Sequence, residues 1–418
     1  MVAELISVGT EILLGNIVNT NSNYLAKKCA EIGISVYYQI TVGDNEQRLI
    51  DVVKTARSRS DLIIITGGLG PTQDDITKEA VAKAIGRDLV MDEHSKEKIQ
   101  TYFNERKQGS ITPSNWKQAL KIEGCQVIDN DNGTAPGYIV EDREAIIMIL
   151  PGPPNEMIPM FENSMYPYLA KLDDKVFYSK MVKICGIGES QAEEAIIDLI
   201  EKQSNPTIAP YAKAGEVHFR VTASANSIEE AQQMMEPIIG EMQRRFQDNI
   251  YTLEENESLE TVVISLLSRH GLTVTTAESC TGGLISSQLV NVPGASDVLN
   301  EAIITYSNGA KMKYLGVKEE TLTEYGAVSE QTAGEMAIGA ANLTKSDTAI
   351  AATGIAGPGG GTKEKPVGLV YIASYIKGKV KVKELRLKGD RTKIRRLTAT
   401  YALDLLRREI LNYLNENP

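Results

Sequence analysis

Apolar residues recur along this chain in short runs separated by amphipathic stretches. "AELISV" (3–8), "SVYYQI" (35–40), "DLIIIT" (61–66) and "AIIMIL" (145–150) are strand-sized, and "NSNYLAKKCAEIG" between the first two reads as a helix closing on Gly33. Continuous apolar runs alternating with helices predict a parallel sheet covered on both faces. Such sheets bind ligands at the carboxyl ends of their strands. Here those ends carry "GTEILLG" (9–15), "TGGLGPTQDDIT" (66–77) and "LPGPPNEM" (150–157).

The rhythm changes after the first segment, residues 1–170. Residues 175–248 read strand, helix, strand, strand, helix, and in "EVHFRVTA" Val217, Phe219 and Val221 alternate with His218 and Arg220. That alternation is the mark of a half-buried antiparallel strand, so this segment is expected to be a small α+β module. A polar stretch, "LEENES", then leads to a third segment, 256–416, with Ser258 as a helix cap. Its pattern predicts helices over 259–269, 282–291, 329–343 and 391–413. Strands are predicted over 272–277, 300–306, 348–353, 368–376 and 379–387. The expected fold class is α/β: two three-layer domains with mainly parallel sheets, joined by the small α+β module.

Length agrees, since 418 residues exceed what one compact core accommodates. A formal charge of −11 argues against free nucleic acid as a partner, although "KGDRTKIRR" (388–396) is locally basic. No basic, apolar leader opens the sequence and no apolar run approaches a membrane span, so a cytoplasmic chain is expected. Four scattered cysteines without a C-x-x-C pair predict neither a disulfide framework nor a zinc site.

In the third segment "TTAESCTGG" sets Ser279 and Cys280 on a strand-to-helix turn, before Gly282 and Gly283. N–H groups at that turn would suit a developing oxyanion, and the plainer reading is a helix cap of small residues. A serine nucleophile needs a base. The three histidines are poorly placed, because His94 and His218 belong to other segments and His270 ends the preceding helix. A lysine serves if its surroundings keep it neutral, and "TYSNGAKMKYLG" supplies Lys311 and Lys313 beside Tyr306. "ATGIAGPGGGTKEKPVG" (352–368), with Thr353, Gly354 and Gly357, follows a strand and offers backbone N–H groups to phosphate. Arg391 opens the last helix as a second grip.

In the first segment Gly67, Gly68, Gly70 and Thr72 form a glycine turn ahead of Asp74 and Asp75. Phosphate on the backbone with a divalent cation on carboxylates is one reading, with Glu11 and Glu156 converging on the same crevice. A helix start whose aspartates favour the dipole is the other. In the middle segment Gly186 and Gly188 invite comparison with the G-x-x-G loop of KH domains. Glu189 and the acidic helix behind it argue against nucleic-acid binding.

Taken together, "VGTEILLGNIVNTN", "TGGLGPTQDDITKEA", "NGTAPGY" and "LPGPPNEM" resemble the molybdopterin-binding-like domain of the CinA family. "TTAESCTGG", "TYSNGAK", "GAVSEQTAGEMAIGA", "TGIAGPGGGTKEKPVG" and "GDR" resemble its C-terminal amidohydrolase domain, and the likeness covers essentially the whole chain, a KH-type middle included. The resemblance implies a nicotinamide mononucleotide (NMN) deamidase needing no cofactor, with Ser279 as nucleophile and Lys311 as base. Tyr306, Thr353 and Arg391 would then line the nucleotide site. For the first segment it implies a pyrophosphatase acting on ADP-ribose-like substrates with a divalent metal ion, with or without a monovalent cation. The same fold can also bind a pterin without hydrolysis. A rival is a non-enzymatic protein of DNA uptake whose partner is a recombination protein. The bridged arrangement would suit a homodimer.

Overall fold

A computed structural model describes residues 1–106, 111–172 and 175–417. It divides into two compact units, Met1–Tyr178 with Ser224–Ala231, and Ser179–Ala223 with Gln232–Pro418.

The first unit is built on β1 (Val2–Val8), β2 (Ser35–Val42), β3 (Leu62–Thr66), β4 (Leu89–Met91), β5 (Leu120–Ile122), β6 (Gln126–Ile128), β7 (Gly137–Glu141) and β8 (Ile146–Leu150). Six of them form one sheet in the order β2-β1-β3-β8-β7-β6, while β4 and β5 pair apart. Pairs β1–β2, β1–β3 and β3–β8 are parallel, and β7 adds antiparallel to β8. The apolar runs alternate between two cores: Ile6, Val8, Ile63, Ile65, Ile147 and Ile149 face one, Ala3, Leu5, Leu62, Ile64, Met148 and Leu150 the other. Both faces are therefore covered, as continuous apolar strands require. The turn after β3 needs glycine, because Gly67 has φ +99° and a Cβ there would stand 2.2 Å from the Val8 carbonyl oxygen.

In the second unit the middle segment folds as a four-stranded sheet. Its strands are β9 (Val176–Cys185), β10 (Thr207–Lys213), β11 (Glu216–Ala225) and β12 (Ile250–Thr252), in the order β10-β11-β9-β12. The third segment contributes β13 (Val274–Glu278), β14 (Leu299–Ile304), β15 (Thr348–Gly354), β16 (Leu369–Ile376) and β17 (Lys379–Arg386), ordered β14-β13-β15-β16-β17. This sheet is parallel from β14 through β13 to β15, whereas β16 and β17 return as an antiparallel hairpin. The helix Arg391–Glu416 covers one face. The alanine-rich helix Glu330–Thr344 covers the other, packing Ala333, Ala337 and Ala340 against Ala277, Ala351 and Ala373.

One buried charge in the first unit stands without an anion bonded to it. Lys78 is 4% exposed, and its Nζ donates to the Lys117 carbonyl at 2.7 Å. Burial pulls its pKa down to about 8 from an ordinary 10.5. The folded state thus releases this proton earlier than the unfolded chain, and the penalty is full below pH 8 and vanishes towards 10.5. Lys78→Met is expected to stabilise this unit by roughly 1–3 kcal/mol at pH 7, after allowing for the stranded Lys117 carbonyl. The gain should shrink between pH 8 and 10. Urea unfolding followed by fluorescence of the single tryptophan, Trp116, measures it; no gain at pH 7 would contradict the penalty.

Candidate active site

The turn that carries Ser279 begins where β13 ends. Ser279 N–H donates to the Ala352 carbonyl of β15 at 2.9 Å, so the strand pairing continues one residue into the turn. Gly282 (φ +59°) and Gly283 (φ +92°) then reverse the chain into the helix Leu284–Val290. Such successive left-handed residues favour glycine. Ser279 is 8% exposed.

Lys311 comes from the neighbouring edge. After β14, Ser307 caps the helix Asn308–Leu315, accepting from Ala310 N–H at 3.1 Å, and Gly316 ends it in the left-handed conformation. Lys311 lies one turn into that helix and is 1% exposed. Its Nζ lies 3.0 Å from Ser279 Oγ, 2.8 Å from the Thr305 carbonyl and 3.4 Å from the Tyr306 carbonyl. Burial holds its pKa below the usual lysine range. A neutral amine has two hydrogens and one lone pair. With both hydrogens on the two carbonyls, the lone pair faces the Ser279 hydroxyl, the geometry of a general base.

Cys280, beside Ser279, is packed into the core under the Arg391–Glu416 helix. Burial pushes its thiol up to about 11, so the thiolate is scarce at neutral pH.

Tyr306 is exposed, and its hydroxyl accepts from Arg391 Nη2 at 3.2 Å. Arg391 Nη1 donates to the Gly357 carbonyl at 2.8 Å, which ties the last helix to the glycine-rich loop. Lys365 fastens the far end of that loop, its Nζ bonding the Tyr325 and Val328 carbonyls at 2.5 and 2.7 Å. Thr353, next to Ala352, gives its hydroxyl to the Ala327 carbonyl at 2.7 Å. Gly354 is needed where it stands, since a Cβ would lie 2.9 Å from the Leu369 carbonyl oxygen. Ser279, Lys311, Tyr306, Arg391 and Gly357 are thus linked by direct hydrogen bonds around one corner of the sheet.

The turn's N–H groups differ from expectation. Gly282 N–H returns to the Ser279 carbonyl at 3.1 Å, and Gly283 N–H donates to the Glu278 carboxylate at 2.9 Å. Neither is free for an oxyanion. Pattern reading missed Glu278, because a glutamate at a strand end looks like a surface residue. It also missed Arg395, whose Nη2 donates to the Thr281 carbonyl at 2.5 Å; the i,i+4 spacing from Arg391 was the available signal.

In the first unit, Glu11, Gly67, Gly68, Gly70, Thr72, Asp74, Asp75 and Glu156 line one cleft of about 490 Å³, floored also by Gly133 and Thr134. Two of the four carboxylates accept hydrogen bonds from the protein through one oxygen each. Asp75 accepts from Thr72 N–H at 2.8 Å and its hydroxyl at 2.6 Å, and Glu156 accepts from Asn130 at 2.7 Å. Their oxygens suit a hard cation in kind. Among the described residues, however, no three of His, Cys, Asp or Glu stand together as a metal-holding group.

In the middle segment, Gly186 (φ +89°) backs onto the last helix rather than lining a free groove. A Cβ on it would lie 3.0 Å from Arg408 Nη2, which donates to the Cys185 carbonyl at 3.0 Å.

Comparison with known proteins follows the same three segments. A model of the CinA C-terminal domain matches residues 256–410, one described as "Probable molybdopterin binding domain" matches 4–171, and the KH domain of damage-inducible protein CinA matches 179–252. A CinA-like protein of Dictyoglomus turgidum is 54% identical over 99% of this chain and 100% of its own length. A CinA-like protein of Kosmotoga olearia is 54% identical over 98% and 99%. The crystal structure of a competence/damage inducible protein from Agrobacterium tumefaciens is 48% identical, covering 38% of this chain and 93% of that one, with a TM-score of 0.35. No helix among the described residues is long and apolar enough to cross a membrane.

The two candidate nucleophiles separate by reactivity. Iodoacetamide at pH 8 is expected to leave Cys280 unmodified in the native protein and to alkylate it after unfolding, as read by peptide mass spectrometry. Rapid native alkylation would contradict the raised thiol pKa.

Proposed function

Because the chain belongs to the CinA family of competence/damage-inducible proteins, we propose that its C-terminal domain is an amidohydrolase that converts NMN to nicotinate mononucleotide and ammonia. The observation that carries this reading is the 3.0 Å approach of a fully buried Lys311 to Ser279. Ser279 Oγ attacks the carboxamide carbon while the neutral Lys311 amine takes its proton. The tetrahedral intermediate collapses as Lys311 returns that proton to the departing nitrogen, releasing ammonia and leaving an acyl-serine. Water, deprotonated by the same amine, then hydrolyses the ester and restores Ser279. The charged substrate phosphate suits Arg391 and the glycine-rich loop that Arg391 holds.

Wild-type protein is expected to release ammonia from NMN in the presence of EDTA, and Ser279→Ala and Lys311→Met to lose about 10³-fold or more in kcat. Since Lys311 must be neutral to act, kcat/KM should rise with pH and level off at an apparent pKa below 10.5. Lys311→Arg, charged at every accessible pH, should be inactive throughout. Absence of ammonia release from the wild type would remove this reading, and activity retained in Ser279→Ala would remove its nucleophile.

A second reading concerns the N-terminal cleft, whose glycine turn suits the phosphates of a nucleotide such as ADP-ribose, while its acidic rim suits them only with a cation between. The carboxylates as arranged offer no three-residue seat for the expected divalent ion, so no hydrolytic step is assigned to it. With Mg²⁺ present, Asp74→Ala/Asp75→Ala is expected to weaken ADP-ribose binding at least 10-fold by calorimetry and, should the wild type hydrolyse ADP-ribose, to reduce that turnover in parallel. Unchanged binding and turnover would count against the cleft.

A further inference from the structure

Glu278, the last residue of β13, is fully buried. Its carboxylate is satisfied entirely by one short stretch of chain: it accepts from Gly283 N–H at 2.9 Å, Ile285 N–H at 3.1 Å, Ser286 N–H at 2.8 Å and the Ser286 hydroxyl at 2.5 Å. The Ser286 hydroxyl is itself 2.7 Å from Thr276 Oγ1, so the carboxylate is anchored back to the strand it ends. From the opposite side Arg395 holds the Thr281 carbonyl. Ser279 N–H bonds Ala352, Gly282 N–H bonds Ser279, and Leu284 N–H reaches Thr281 at 3.4 Å.

Within 279–286 this leaves the backbone donors of Cys280 and Thr281, which lie beside the Cys280 thiol, a weak acceptor. They directly follow the nucleophile. Beside them Thr281 Oγ1 is buried without a hydrogen-bond partner. A carboxylate at the start of the Leu284–Val290 helix also repels a phosphate from that end, which leaves the Arg391 side for it.

We propose that Glu278 is a positioning residue of the Ser279–Lys311 site. By occupying the N–H groups of 283, 285 and 286 it fixes the turn so that the Cys280 and Thr281 N–H groups face the carbonyl oxygen that Ser279 attacks. This rests on the deamidase reading, and its effect belongs to the transition state rather than to substrate binding.

Two readouts test it on the full-length protein. Glu278→Gln keeps the shape but turns an amide NH₂ against backbone donors, so kcat for ammonia release should fall about 10²-fold while KM stays within about threefold. The second readout needs no substrate. A fluorophosphonate labels Ser279 as its Oγ displaces fluoride and Lys311 takes the proton, and labelling of Glu278→Gln should be at least about 10-fold slower than wild type. Ser286→Ala, which removes a single donor, should show the same pattern weakly, about fivefold in kcat, and decides the matter if Glu278→Gln loses its cooperative thermal transition. Wild-type labelling and turnover in both variants, or a loss confined to KM, overturns the proposal. Failure of the wild type to act on NMN would sink the deamidase reading alone, and the labelling rates would still judge Glu278.

Discussion

An amine buried without a counter-ion is the constraint on which the third segment depends. Taking a charged ammonium out of water is costly, and the cheapest relief is loss of the proton. Lys311 is driven that way by its surroundings: its hydrogen-bond partners are a hydroxyl and two backbone carbonyls, none of which compensates a full positive charge. The carbonyls belong to the turn leaving β14, and the amine belongs to the helix that Ser307 starts immediately afterwards. Helix, turn and strand edge must therefore all be in place before the amine reaches Ser279 Oγ. Close packing holds them there, since at Gly339 a Cβ would stand 1.8 Å from the Leu315 carbonyl oxygen.

Glu278 answers Lys311 on the other side of Ser279. Each is an ionisable side chain withdrawn from water and satisfied mainly by backbone, N–H groups for the carboxylate and carbonyls for the amine. Four donors take the place of water around the Glu278 carboxylate. Two backbone acceptors do less for a cation, so desolvation prevails at Lys311. A serine between them meets the Glu278-bonded turn on one hand and a buried amine on the other.

Much of the frame was legible in the sequence, because alternation, caps and glycines act locally. The helix Leu259–Arg269 and its Ser258 cap fall where the pattern placed them, and β1, β3, β8 and β15 agree to within one residue at each end. The strands β4 to β7 were not read. Three of these four have only three residues, too few to show a period, and β7, "GYIVE", sits among glycine and proline. The helix carrying Lys311 was also missed, its eight residues "NGAKMKYL" holding too few apolar positions for a stripe. Candidate residues with unusual local chemistry, such as Ser279, were visible as a motif. Glu278 and Arg395 were not, because their roles follow from which backbone groups they reach.

The last helix connects the parts. Arg391 and Arg395, on its first turns, hold the glycine-rich loop, Tyr306 and the Ser279 turn. About 20 Å further along, at 1.5 Å per residue, buried Asp404 pairs with Arg407 at 2.7 Å and Arg408 at 2.7 Å. Those two arginines donate to the Asp248 and Cys185 carbonyls of the middle segment. A buried carboxylate shared by two arginines keeps both guanidinium groups at fixed angles, so the docking is specific as well as strong. It also explains the glycine at 186: left-handed backbone and a missing side chain bring the turn after β9 against Arg408. The turn that resembles a nucleic-acid clamp in sequence is in this molecule a contact surface for the last helix of the third segment. The one element that braces the proposed active site therefore also sets where the middle sheet stands against it.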